Sequence, residues 1–551
     1  MCGIFAFISK YGIDNFSELY IQFMKLRNRG PEYSSFDIIH PKIAMGFHRL
    51  AIRGLTPDGN QPFHRVLSSG EAYYCVCNGE IYDYEDIMTK YNLSMVGESD
   101  CGIILPLFMS QKPKDVFKSL GSEFATIIVQ IKYSQIKITV ARDPIGVRPL
   151  FYSISDKGIC FSSEAKGIVG KPIVFPPGTF ATIKIKKDQE FGIKFERYWS
   201  IPSFNRSLDV SKYISIDRVG SNGDLIVKES DKPFPTFELR KIRKLLLKSV
   251  EKRLQSDRPF GCLLSGGLDS SLVVGLIKYL RPDLTFPVYT IAFESGSTDL
   301  PYAKMIAEHF NLPHHVITIT EQEAIDMIDE TIYTIESYDT TTVRASVMQY
   351  ILSKKIKDVK VLLVGENSDE LFMGYLYFHK APNSDLARED SVRLVTDVHM
   401  FDGLRTDRTM SSAGLEVRLP YADVDLLNYV YTLDPSLVIP RDRMEKWLLR
   451  NSCKGIIPDE VLFRRKEAFS DAVSTTQNSW FEIIQREMEK RVGDDVDTEG
   501  LSKESYYYRK KFDEYFGEDA RSLIPYYWMP NWCEGVTDPS ARTLTFYDEL
   551  K

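Results

Sequence analysis

Three short stretches of this chain carry residue types that could do chemistry in the order they stand. The first is MCGIF, Met1 to Phe5. If Met1 is removed, Cys2 becomes the first residue, with an amine and a thiol on one carbon. A thiol of reference pKa ~8.5 needs a base to attack at neutral pH, and an α-amine of ~7.7–8.0 is a base of matched strength. CGIFAF could equally be a core strand, and these residues alone leave both readings open. The second stretch is SGGLDSS, Ser265 to Ser271, between a short apolar run and an amphipathic one. Its glycines, Gly266 and Gly267, let the backbone bend tightly. The hydroxyls of Ser265, Ser270 and Ser271 add donors where a helix N-terminus favours an anion. This is a phosphate cradle, but not a Walker A loop, because no Lys follows the glycines. A plain strand-turn-helix connection capped by Asp269 or Ser270 is the alternative. The third stretch is GENSDE, Gly365 to Glu370, closing the apolar run VLLV. In an open parallel sheet ligands sit at the carboxyl ends of strands, which is where the second and third stretches would meet.

The elements that must position these residues fall into two rhythms. Residues 1 to about 200 read as short strands rich in Phe, Tyr, Ile and Val, broken by Gly, Pro, Asn and Asp. EFATIIVQI and KITVARD make an adjacent pair, and NFSELYIQFMKLRNRG is the clearest helix, closed by Gly30-Pro31. This is an α+β unit dominated by sheets. Residues 201–235 dissolve into Ser, Asn, Asp, Gly and Pro, with SNGDL as a tight turn, and read as a linker or excursion rather than a domain. From Phe237 a helix places Leu239, Ile242, Leu246, Val250 and Leu254 on one face. Strand and helix then alternate, which predicts an α/β doubly wound parallel sheet over residues 236–520 with a helical C-terminal part. Residues 521–551 form a tail. Cys75 and Cys77, two apart on a strand, point to one face.

Composition bounds the function. The 551 residues, 43% hydrophobic and 26% charged, are those of a globular protein of several domains. A net charge of −7 with no long basic run argues against a nucleic-acid partner. No stretch approaches the ~18 apolar residues of a membrane span, and Gly3 to Ile8 is too short for a signal peptide. Eight cysteines with no CxxC pair predict free thiols and a reducing, cytoplasmic compartment.

SGGLDSS resembles the pyrophosphate loop of ATP pyrophosphatases, which cleave ATP to AMP and pyrophosphate. The resemblance implies Mg²⁺, with Asp269 and Asp369 as hard oxygen ligands. NRGPE, HRLAI, NGEIY and GESDC, in this order behind Cys2 and followed by RDPIGVRPLFY and SSEAKGI, resemble the N-terminal-nucleophile glutamine amidotransferases. That family hydrolyses glutamine in a sandwich of antiparallel sheets. It implies a pairing of Arg49 with the glutamine α-carboxylate and of Asp100 with its α-amine. Leu50, Ala51, Ile52 and Arg53 would line the glutamine site, Asn78 and Gly79 would form an oxyanion hole, and Glu80 would help hold the substrate.

From residue 1 to about 520 the chain resembles the glutamine-dependent asparagine synthetases of bacterial type, most closely in GCLLSGGLDSS, ESYDTTTVRAS, GENSDELFMGYLYFHKAP, GLEVRLPYAD and RRKEAFSD. The resemblance implies ammonia passed to an adenylated carboxylate, with glutamine, aspartate and ATP as small-molecule partners and a homodimer left open. Leu263 and Phe293 would flank the adenine. Ser265, Gly266, Gly267, Asp269 and Ser270 would hold phosphates, with Gly365 and Glu366 beside ATP and the acyl-adenylate. Glu366 is the candidate base, Arg344 would lie near pyrophosphate or aspartate, and Lys466 would stabilise charge in adenylation. The chain departs from the family pattern at Asn367 (GEN for GEG), at FMGY (for FGGY) and at NRGP (for HRGP); Asn367 would stand beside the intermediate. Two other readings stay open: the same architecture acting on another carboxylate, and a glutaminase-only or nucleotide-sensing protein.

Overall fold

The computed structural model describes residues 1–133, 135–185, 191–202, 236–467, 472–475, 477–540 and 543–544, with the backbone of Ile214–Arg218 and Leu225–Glu229. The N-terminal part is a sandwich of two six-stranded antiparallel sheets, as the sequence predicts. At the centre of the first sheet Gly3–Ser9 lies between Gly158–Ser162 and Ile43–Arg49, with Tyr33–His40 on the edge. In the second, Ala72–Glu80 pairs with Glu123–Lys132, which pairs with Gln135–Arg142, the adjacent pair expected.

Strand alternation builds the core. Ile4, Ala6 and Ile8 pack against Val76, Ala125, Ile127 and Val129 between the sheets. Phe5 and Phe7 point the other way, onto Leu19, Phe23 and Leu26 at the helix Phe16–Met24. That helix ends before the predicted stop, and Arg27–Arg29 continues as a 3₁₀ turn. Cys75 and Cys77 share a face and a buried cluster, and all eight cysteines are free thiols.

The second half is an α/β unit around five parallel strands ordered His314–Ile319, Val288–Phe293, Phe260–Leu263, Val361–Leu363, Glu416–Arg418. The order reverses between Phe260–Leu263 and Val361–Leu363. SGGLDSS and GENSDE leave those two strands and so open onto one crevice. The helix Thr236–Arg253 buries Ile242, Leu246 and Val250 as its spacing predicts. The expected SNGDL turn lies outside the described residues, although the strands flanking it pair with each other. Helices Trp480–Arg491 and Lys503–Phe516 pack on each other, the first also on Glu321–Asp326 and the second on Ile328–Ile335, and a 3₁₀ turn over Glu518–Leu523 follows. Among the described residues no helix is long and apolar enough to cross a membrane.

Candidate active sites

Cys2 stands two residues before Ile4, just ahead of the strand, and shares its face, so it turns toward the inter-sheet space and packs on the sandwich core. Its thiol reaches the Leu50 carbonyl at 3.7 Å. Burial pushes the thiol up to about 11, against the pull of the nearby α-amine. A cavity beside it is lined by Arg49, Leu50, Ile52, Arg53, Gly79, Glu80 and Asp100 among the expected residues. Ala51 is off this wall: its N–H donates to Glu32 and its carbonyl accepts from Arg258. Asn78 is also off the wall, but it is fully buried and neither atom of its side-chain amide has a hydrogen-bond partner. Such an amide is costly unless something arrives to bond it.

The cavity wall carries two guanidinium groups, Arg49 and Arg53, and three carboxylates, Glu80, Asp100 and Glu416. The Arg49 guanidinium bonds the Thr56 carbonyl (2.7 Å), the Asn60 side chain (2.8 Å) and the Gly54 carbonyl, all of them neutral. Gly59 is required here, since a Cβ would lie 2.1 Å from Arg49. Asp100 accepts the Ile81 N–H (2.6 Å) and the Ser99 hydroxyl (3.0 Å), again neutral groups. Burial raises the Asp100 carboxyl above the usual range. Glu80 is paired instead, with Arg418 at 2.9 Å.

The second site lies at the switch of the parallel sheet. Gly266, with φ +91°, lets the loop turn where a Cβ would meet the Asp299 carbonyl at 2.5 Å. The helix Leu268–Leu280 starts behind Gly267, with no side-chain cap. Neither Asp269 nor Ser270 acts as the cap, so first-turn amides stay free for an anion. The Ser265 and Ser270 hydroxyls bond each other at 2.9 Å. Gly365 packs so closely that a Cβ would lie 2.8 Å from the Ser270 nitrogen.

Asp269 and Asp369 converge on one cation, Lys446, at 2.6 and 2.7 Å. Lys466 holds the other oxygen of Asp369 at 2.6 Å. The two ammonium groups keep Asp369 ionised, well below the usual carboxylate range, despite its burial. Glu366 accepts from Gln349 (2.7 Å), lies 3.7 Å from Arg405, and is raised by burial. Leu263, Ser265, Gly267, Asp269, Ser270, Gly365, Glu366, Asp369 and Lys466 all line this cavity.

Four expected residues are off its wall. Gly266 shapes the loop from behind. Phe293 is buried against Trp480, 5.7 Å between ring centres. Arg344 is clamped by Glu504 (2.5 Å) and Asp538 (2.6 Å). Asn367 sits in left-handed backbone, φ +72°, and donates to the Tyr421 carbonyl at 3.0 Å. Met373 of FMGY also has positive φ, +52°. Both departures from the glycine pattern therefore fall where glycine would be unstrained. Sequence reasoning missed Lys446, Gln349 and Arg405. Lys446 stands in MEKWLLR, where a charged residue beside a helix reads as solvated, and no spacing links it to Asp269.

Comparison with known proteins follows this division. Residues 1–179 match the glutamine amidotransferase domain, and residues 241–393 and 382–540 match asparagine synthase. The chain is 36% identical to the probable asparagine synthetase [glutamine-hydrolyzing] of Acanthamoeba polyphaga mimivirus, over 99% of this chain and 100% of that one. It is 36% identical to the Homo sapiens and Bos taurus asparagine synthetases [glutamine-hydrolyzing], over 99% of both chains in each comparison. With both modules matched in order and nearly the whole length covered, the chain belongs to the glutamine-hydrolysing asparagine synthetase family.

Proposed function

We propose that the chain makes asparagine from aspartate, ATP and glutamine, releasing glutamate, AMP and pyrophosphate. The observation that carries this reading is the meeting of SGGLDSS and GENSDE at the sheet switch, with two carboxylates and two lysines facing one cavity. In the first site, Cys2 freed of Met1 uses its own amine as base and attacks the glutamine side-chain amide, releasing ammonia and leaving a thioester that water hydrolyses. Arg49, bonded only to neutral oxygens, is available to the α-carboxylate, and Asp100 to the α-ammonium. The unpartnered Asn78 amide and the Gly79 N–H serve the tetrahedral oxyanion, at ~3 kcal/mol per donor.

In the second site the aspartate side-chain carboxylate attacks the α-phosphate, and pyrophosphate leaves across the free amides of SGGLDSS. Lys446 and Lys466 stand beside the carboxylates that face those phosphates and screen the charge. Asp269 and Asp369 suit Mg²⁺, which is held by one or two carboxylates together with substrate phosphates. When bound, the ion would neutralise phosphate charge. Glu366, raised by burial, then takes the proton that ammonia loses as it adds to the acyl-adenylate. The test is a product assay with aspartate, ATP, Mg²⁺ and glutamine labelled with ¹⁵N in its side-chain amide. Labelled asparagine with equimolar AMP is expected; glutamate and ammonia without asparagine or AMP would overturn the synthetase half.

A further inference from the structure

Part of the wall of the Cys2 cavity is Leu50, Ile52 and Arg53. They stand in a segment, Leu50 to Gly54, that no helix or strand fixes. Its peptide groups are held instead by a loop of the other half of the chain, Leu254 to Pro259, between the helix Thr236–Arg253 and the strand Phe260–Leu263. The Asp257 N–H donates to the Ile52 carbonyl at 3.1 Å, and the Asp257 carboxylate accepts the Gly54 N–H at 2.8 Å. Arg258 donates from Nε to the Ala51 carbonyl at 3.0 Å. Its Nη2 reaches one oxygen of Glu32 at 2.9 Å, and the other oxygen accepts the Ala51 N–H at 2.7 Å. Arg258 and Glu32 thus close a ring around both peptide groups of Ala51.

Through Gly54 the loop also reaches Arg49, because the Gly54 carbonyl accepts from the Arg49 guanidinium. Gly54 has no room to shift: its φ is +62°, and a Cβ there would lie 2.5 Å from the Glu98 carbonyl oxygen. The loop is itself firmly built. The Ser256 hydroxyl donates to the Arg258 carbonyl at 2.9 Å and accepts the Arg258 N–H at 3.1 Å. Arg418 donates to the Arg253 and Gln255 carbonyls at 2.9 and 2.6 Å, and the Pro259 carbonyl accepts the Lys360 N–H at 3.0 Å. Stability does not account for these contacts. The side chains of Arg258, Glu32 and Asp257 are 32%, 29% and 48% exposed, and charge pairs open to water add little. What the contacts fix is place, and a binding site needs its groups placed to within about 0.5 Å.

We propose that Asp257 and Arg258 are positioning residues for glutamine: through them the synthetase half sets the wall of the Cys2 cavity and the place of Arg49. Neither residue lines the cavity. They act through the peptide groups of Ala51, Ile52 and Gly54. This inference rests on the reading of that cavity as the glutamine site, and its test keeps the two apart.

The test uses the full-length chain and measures ammonia released from glutamine and from its α-methyl ester, which lacks the carboxylate that Arg49 answers. Arg258→Met is expected to raise the KM for glutamine about tenfold while kcat stays within about threefold. Asp257→Ala is expected to cut the advantage of glutamine over the ester in kcat/KM about tenfold, because only glutamine uses Arg49. Asparagine formation from ammonium chloride, measured on the same preparations, reports whether the two halves remain assembled. A glutamine KM unchanged in Arg258→Met, or an unchanged advantage over the ester in Asp257→Ala, would overturn the proposal. An equal fall in the glutamine and ammonium reactions would overturn it too, since the loop would then hold the halves together and not the glutamine wall. A parent chain that releases no ammonia from glutamine would sink the glutamine reading itself.

Discussion

Lys446→Met is the sharpest perturbation of the synthetase site. Lys446 is 1% exposed in its side chain and touches Asp269 and Asp369, whose side chains are 15% and 18% exposed, so solvent screens these pairs little. At an effective dielectric of ~20, unit charges ~4 Å apart interact by ~4 kcal/mol, and removing one partner of a buried pair costs ~3–5 kcal/mol. Asp369 keeps Lys466, so the loss falls on Asp269, which keeps the Ser368 hydroxyl at 2.8 Å. In the proposed reaction the same charge faces the departing pyrophosphate. A donor of this kind contributes ~3 kcal/mol in a transition state, or roughly a hundredfold in rate. The assay is exchange of radiolabelled pyrophosphate into ATP in the presence of aspartate, with glutamate release from glutamine measured on the same preparation. Exchange should fall roughly a hundredfold while glutamate release persists. Gly374→Ala is an independent route to the same result, because its Cβ would lie 2.0 Å from Lys446 Cε and 2.2 Å from Asp369 Oδ1. Exchange within about twofold of the parent in Lys446→Met would remove Lys446 from the phosphate site and refute the electrostatic reasoning.

Cys2→Ala should end glutamine-dependent asparagine formation and leave the ammonium-dependent reaction running; loss of both would mean the two sites are not separable. Asn367→Gly should leave the KM for ATP unchanged, because the side chain bonds the Tyr421 carbonyl rather than entering the cavity. Its stability should stay within ~1 kcal/mol of the parent, since relief of left-handed strain offsets the lost hydrogen bond. A marked drop in the KM would show that Asn367 does crowd the nucleotide. His48, whose Nε2 lies 3.1 Å from the Phe23 carbonyl and whose Nδ1 lies 2.7 Å from the Ser34 hydroxyl, is held down to about 4 by burial. Between pH 6.5 and about 4 the unfolded chain therefore binds the proton that the folded chain refuses, and stability must fall as pH falls. Urea midpoints of the parent against His48→Gln should separate progressively across that window; a constant difference would refute the assignment.

The fold class was legible because the two halves differ in period: alternating apolar strands first, then strand and helix in turn. The meeting of SGGLDSS and GENSDE was legible too, because a doubly wound sheet leaves one crevice. What stayed hidden was the side-chain geometry that long-range packing decides. Arg344 stands in ESYDTTTVRAS, which points to a ligand, yet Glu504 and Asp538 lie 160 and 194 residues further on and clamp it. Lys446 lies 177 residues from Asp269, so no local pattern could pair them. Glycine positions were the most informative departures, since backbone angle is a local property: a non-glycine at 367 or 373 signals a left-handed residue wherever it packs.

The strand Glu416–Arg418 is the seam between the two chemistries. Glu416 lines the Cys2 cavity and lies 3.6 Å from the Met1 amine. Arg418 bridges Glu416 and Glu80, each at 2.9 Å, and its carbonyl accepts the N–H of Val364, the residue before Gly365. Every side chain in this network is buried to within a few per cent. Buried ion pairs add little net stability, because desolvation offsets their attraction, but breaking one strands an unpaired charge at ~3–5 kcal/mol. A slide of one half over the other by even a fraction of a residue would do that several times over. The charges in this seam therefore act on register. They hold Glu80 at the Cys2 cavity and Gly365 at the sheet-switch cavity in one fixed relation.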